Sequence, residues 1–137
     1  MNNMDVKDYF KNYTKFVDSV TAEVSKNDRV YTERFYKLSE LLNGNYSRLD
    51  NAIAGLAGES GEVADLWKKV KFHNLEYDAE TRDKFKKELG DVCWYLFQTA
   101  DALNMPMDEI IDGNVEKLKK RHATGFSPEY LRKKKGA

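Results

Sequence analysis

The residues that could do chemistry lie between Gly58 and Asp91. Glu59 and Glu62 are three positions apart, and so are Glu88 and Asp91. On a helix, residues three apart share a face, one turn from each other. Two such pairs on neighbouring helices converge if the helices pack antiparallel. Four carboxylates meeting at one spot repel one another unless a cation sits among them. Oxygen-only donors of this kind suit a hard divalent ion, Mg²⁺ first and Mn²⁺ as its substitute. The plainer alternative is two solvated acidic edges, which a chain with 23 acids can produce by chance. Against that, the acids adjoin apolar residues (Val63 and Leu66; Leu89, Val92 and Cys93), and Gly61 and Gly90 leave space beside them. Asp65 continues the first series. It reads as a further ligand, an outer acceptor or a surface residue.

A basic constellation lies further along the chain. Asn114, Lys117 and Arg121 fall at i, i+3 and i+7, hence on one helical face. An amide, an ammonium and a guanidinium in a row make a set of donors for a polyphosphate. The alternative is a helix C-terminus whose dipole favours cations. Trp67, Phe72, Trp94 and Tyr95 lie near the acids and could stack on a nucleobase, or could be ordinary core aromatics. Trp67 stands out because it lies two turns past Glu59 and close to Lys68 and Lys71, two cations that either touch phosphate or face water. His73 and His122 fit no histidine ligand spacing. Neither follows a Glu by three residues, which argues against a di-iron bundle. Cys93, the lone cysteine, is expected to be a buried packing residue on the apolar side of its helix.

These side chains need helices to hold them. Val6, Tyr9, Phe10, Tyr13, Phe16, Val17, Val20 and Val24 recur in steps of three and four, which predicts a first helix over 6–25, closed by Asn27-Asp28. A second helix is expected from about Thr32, with Phe35, Leu38, Leu41 and Leu42 on its apolar side. Asn43-Gly44-Asn45 marks a break, since Gly and Asn tolerate the left-handed conformation. Asn45 or Ser47 can cap the next helix. That third helix is expected over 48–71. Gly55, Gly58 and Gly61 interrupt its middle, each costing about 1 kcal/mol against Ala. With Ala52, Ala54, Ala57 and Ala64 they form a small-residue side, which favours close helix packing over a kink. After a loop at 72–77, Asp78 can cap a fourth helix reaching about Leu103. Asn104 ends it, and Pro106 suits the start of a fifth over 107–121, with Ile110, Ile111, Val115 and Leu118 facing inward. No strand-like alternation of useful length appears.

A chain of 137 residues fits one domain. Apolar residues are 41% and charged residues 34%, with two prolines, a balance that suits amphipathic helices. No apolar run approaches the length of a membrane span. The N-terminus lacks the pattern of a signal peptide, and a single cysteine fits a reducing, cytoplasmic setting. Net charge is zero, yet residues 117–137 carry eight of the 23 Lys and Arg and one of the 23 acids. An acidic body with a basic end can hold a metal in one part and phosphates with the other. Overall neutrality argues against a stable nucleic-acid partner.

Glu59-x-x-Glu62, a spacer, Glu88-x-x-Asp91, then Asn114-x-x-Lys117 and Arg121 together resemble the MazG-like family of all-α nucleoside triphosphate pyrophosphohydrolases. The resemblance covers Leu49 to Phe126. It rests most on the string Gly55 to Asp65 and on Glu88-Leu-Gly-Asp91-Val. Residues 1–44 match less specifically and read as an added helical arm; residues 127–137 read as a basic tail. Several phage-encoded members are compact single domains of this kind. The resemblance implies hydrolysis of a nucleoside triphosphate to the monophosphate and pyrophosphate. It implies Glu59, Glu62, Glu88 and Asp91 as metal ligands and Asn114, Lys117 and Arg121 as phosphate contacts. Glu62 or Glu59 would then accept a proton from the attacking water, with Lys117 and Arg121 stabilising the departing pyrophosphate. Trp67 and Lys71 join the candidate substrate contacts. Homodimers or homotetramers are also implied, with sites near subunit contacts. The long first helix, outside the resemblance, is a candidate for that contact.

The expectation is therefore one all-α domain over 1–137, a bundle of about five helices with an antiparallel acidic pair, assembled as an oligomer. A site acting on an alarmone or another nucleotide derivative, and a non-catalytic helical interaction protein, are the alternatives.

Overall fold

A computed structural model describes residues 5–126, 128, 129 and 132. It is all-α, with five helices among the described residues: α1 Val6–Val20, α2 Asp28–Leu41, α3 Tyr46–Phe72, α4 Ala79–Ala102 and α5 Met107–Arg121. The described residues hold no strand, and a lone bridge joins Ala123 and Gly125. None of their helices is long and apolar enough to cross a membrane. The chain divides into two compact units, Met1–Tyr46 and Ser47–Ala137. The expected basic tail at 127–137 lies largely outside the described residues.

In the first unit, α1 is capped by Asp5, whose side chain accepts from the Lys7 N–H. It stops five residues earlier than the apolar periodicity predicts. Thr21 turns extended, its hydroxyl donates to the Val17 carbonyl at 2.6 Å, and its N–H donates to Asp18. The Lys26 ammonium also donates to the Asp18 carbonyl and reaches its carboxylate, so the helix end is satisfied from outside. A 3₁₀ turn occupies Glu23–Ser25. Asn27 does not close this segment, as expected from sequence; it opens the next one. Its side chain accepts from the N–H groups of Arg29 and Val30, and α2 starts four residues before Thr32. Asn is as good an N-cap as it is a helix stop, so the same signal points both ways. Asn43 and Gly44 have φ of 50° and 80°, and the Gly44 N–H donates to Ser39, the left-handed exit that the sequence predicts.

In the second unit, α3 runs unbroken for 27 residues through its three glycines. Asn74, at φ 54°, turns the chain out of it. Asp78 caps α4, accepting from the Thr81 N–H at 2.8 Å, and Thr81 is buried. Asn104, at φ 53°, ends the turn after α4, and Pro106 stands at the N-cap of α5.

The buried residues among those described are few: Ala52, Leu66, Thr81, Ala100 and Ala102, all in the second unit. The apolar stripes read from sequence are therefore only partly covered. Ile53, Trp67, Leu89, Leu96, Phe97, Ile111, Val115 and Leu118 are exposed. Cys93 is exposed too, which corrects its expected burial. Three helices in one unit can cover one face of each member. A second apolar face on α4 or α5 then has nothing from the same unit to meet it.

Candidate metal and substrate site

α3 and α4 bring three of the expected carboxylates together. One oxygen each from Glu59, Glu88 and Asp91 lies within 4.8 Å of the others. Glu59 and Glu88 are half-buried and Asp91 is exposed. The carboxyl of Glu59 is pushed above its ordinary value of 4.5. Burial is the first cause, followed by the negative charges of Asp91, Glu88 and Glu62. Like charges held this close disfavour ionisation unless a cation joins them.

The fourth acid, Glu62, stands outside that set. It is exposed and lines a hollow with Asp65, Leu66, Lys69, Leu75, Lys84 and Glu88. Asp65 is spoken for by lysines: Lys69 reaches it at 2.6 Å and Lys68 at 3.4 Å. Both hydrogen bonds hold its carboxyl below the usual value. Of the three readings open to Asp65 from sequence, this geometry favours a surface ion pair.

Of the three glycines of α3, Gly55 is the one in close contact. Gly55 faces the ring of Tyr95, so close that a Cβ there would overlap the ring's Cδ1, Cε1 and Cζ atoms. Gly58, Gly61 and Gly90 have open space beside them. A further contact joins the start of α3 to the end of α4, an ion pair of Arg48 with Asp101. These two residues line a shallow hollow with Trp94, Phe97 and Gln98. Sequence reasoning singles out Trp94 but not Arg48, Gln98 or Asp101. A signal was present in their spacing, because Asp91, Trp94, Gln98 and Asp101 step along one side of α4 by three, four and three.

The donor row on α5 is a helix face as expected. Asn114 and Lys117 line a hollow with Leu96, Met107, Ile110 and Val115, which shares no residue with the hollow of Glu62 and Glu88. Arg121 is half-buried at the end of α5. Trp67 is exposed, and the Lys71 ammonium sits 5.1 Å from the Phe72 ring centre.

Residues 48–126 match the model of the MazG nucleotide pyrophosphohydrolase domain. The chain belongs to the MazG family. The match includes Glu59, Glu62, Asp65, Glu88 and Asp91 and the whole of α4 and α5, and it leaves out α1 and α2. This MazG-family chain is also similar to the Gene 37 protein of Mycobacterium phage L5. The two are 38% identical over 78 residues, which is 56% of this chain and 68% of the phage protein. No solved structure matches it significantly. The family carries a nucleotide pyrophosphohydrolase-type activity, and the carboxylates of Glu59, Glu88 and Asp91 are a set that could coordinate a divalent metal.

Proposed function

We propose that the protein hydrolyses (deoxy)nucleoside triphosphates to the monophosphate and pyrophosphate with Mg²⁺. The observation that carries this reading is the meeting of Glu59, Glu88 and Asp91 within 4.8 Å, inside the stretch that matches the family. The residues present fit the ion. All donors are carboxylate oxygens, as Mg²⁺ prefers and as Mn²⁺ accepts. The carboxyl of Glu59 is raised by burial first and by its acidic neighbours after it, and a divalent charge would offset both. The contacts Arg48 with Asp101, Gly55 with Tyr95, and Glu59 with Glu88 and Asp91 support an antiparallel α3–α4 pair, because they step forward on α3 and backward on α4.

Glu59, Glu88 and Asp91 would hold the ion. When bound, it supplies polarisation of a phosphoryl oxygen and acidification of water. Glu62 is adjacent but outside the cluster, which leaves it to accept the proton of the attacking water. Asn114, Lys117 and Arg121 would donate to the phosphates and stabilise charge on the departing pyrophosphate. Trp67 and Lys71 are exposed near the end of α3 and are assigned to the nucleotide on spacing alone. The catalytic unit is a single MazG-like domain with 1–44 as an arm, working in the cytoplasm as a homo-oligomer. The exposed Leu89, Leu96, Phe97 and Ile111 support assembly, since apolar surface of that extent needs a partner.

A nucleotide panel with Mg²⁺, reading pyrophosphate against orthophosphate, tests the proposal. Pyrophosphate released from at least one triphosphate is the expected result. Orthophosphate alone, or no turnover of any member, would refute it.

A further inference from the structure

We infer that α1 is an assembly element that packs against the α1 of a second copy of this chain. The inference does not depend on the catalytic reading, because α1 lies outside the stretch that matches the family.

Val6, Phe10, Tyr13, Val17 and Val20 step along α1 by four, three, four and three. That alternation is the a/d repeat of a helix that pairs with another helix. Tyr9 and Phe16, seven apart, flank the stripe on one side and widen it. Polar and charged residues, among them Asn12, Lys15 and Ser19, occupy the rest of the circumference. All seven apolar residues are exposed, by 43 to 66%, and the helix contains no buried residue.

Two magnitudes decide against leaving this stripe in water. A helix of 15 residues is at the margin of stability unless packing supports it. α1 nevertheless has a side-chain cap at its start and a satisfied end, so its limits are well specified. The second magnitude is area. An aromatic side chain buries about 150–250 Å² when fully covered. Four aromatics and three valines at this exposure therefore offer on the order of 700 Å² per copy. A stable, specific interface takes about 800 Å² from each partner. The stripe thus supplies most of an interface by itself. A second copy presents the same area and the same spacing, which a two-fold contact requires.

Three measurements on the full chain test this. Light scattering should give the wild-type chain a mass of at least two copies. Phe10→Asp combined with Val17→Asp should lower that mass at least about twofold, as expected when charge enters an a/d seam. Asn12→Asp combined with Lys15→Asp, on the polar side, should leave it unchanged. To cover the case in which the aspartate variant unfolds, Tyr13→Cys in a Cys93→Ser background is treated with a mild oxidant. Position 13 is at the middle of α1 and meets its own copy in either helix direction. It should form a covalent dimer well ahead of Lys15→Cys in the same background. A monomeric wild type, a mass unmoved in the Phe10/Val17 variant, or cross-linking at Tyr13 no better than at Lys15 would each overturn the inference. The last outcome would mean that α1 is covered by another surface, in its own chain or in a partner.

Discussion

Glu59 and Asp65 lie six residues apart on one helix and present the same functional group, yet their surroundings are opposite. Glu59 faces Glu88 and Asp91, and its carboxyl is harder to ionise than usual, through burial first and these charges second. Asp65 faces Lys69 and Lys68, and its carboxyl is easier to ionise than usual. Asp65 has its counter-charge built into α3 at i+3 and i+4. Glu59 has carboxylates where a counter-charge would be. A surface ion pair of the first kind contributes little to stability. A gathering of the second kind costs stability in the bare protein, and such costs concentrate where function requires them. The contrast separates an acid neutralised along its own helix from acids that could coordinate a cation.

The largest expected effect breaks the Glu59 side. Asp91→Asn should lower Mg²⁺-dependent turnover by at least about 100-fold, beyond the 10–100-fold typical of groups around a metal ligand. It should also abolish the rise in melting temperature that Mg²⁺ gives the wild type, for which saturation of about 100 times Kd corresponds to about 2.7 kcal/mol. Glu62→Gln should lose turnover but keep the Mg²⁺-induced rise. If Glu62→Gln loses both together, Glu62 is a ligand rather than a proton acceptor.

Next in size is the contact beside the site. Gly55→Ala should destabilise by about 1–3 kcal/mol, as inserted volume does when its neighbour is an aromatic ring. Gly58→Ala, with open space around it, should instead stabilise by up to about 1 kcal/mol. Chemical denaturation of the two variants checks the pair, and equal effects would mean that the Tyr95 ring gives way.

A smaller effect concerns pH. A carboxyl whose folded value is raised takes up protons on folding, so the metal-free protein should gain stability as pH falls from neutral toward 4.5. Below 3.8 the trend should reverse, because Asp65, Asp78 and Asp83 have lowered values and their contribution is lost on protonation. Saturating Mg²⁺ should flatten the upper part of that profile in thermal melts. The smallest effect is Asp65→Asn, which should leave turnover within about twofold and the melting temperature nearly unchanged, as exposed ion pairs do.

Much of the molecule is legible in its sequence. Met107–Arg121 is the predicted fifth helix, and Asp78 caps α4 as its type and position suggest. The i, i+3 spacing brings out Glu59, Glu88 and Asp91 before any geometry. Asn27 misleads because one residue type both ends and begins helices. Cys93 and Trp67 are harder for a different reason. Periodicity says which side of a helix is apolar, but not whether anything covers it, and here much of that cover is absent from the single chain. Asp65 shows the same limit for charge, since its lysines sit on the same helix and compete with any ligand role.

The ring of Tyr95 rests on the bare backbone of Gly55. Counting four residues onward from Gly55 gives Glu59, and four back from Tyr95 gives Asp91. The fit of ring to glycine thus indexes the two helices like a dowel, about 6 Å along the axis from where the acids gather. A sideways slip of one residue would swing the carboxylates by about 100°. Exchanges at position 95 alone would therefore reset the spacing of the three carboxylates, with each acid left in place.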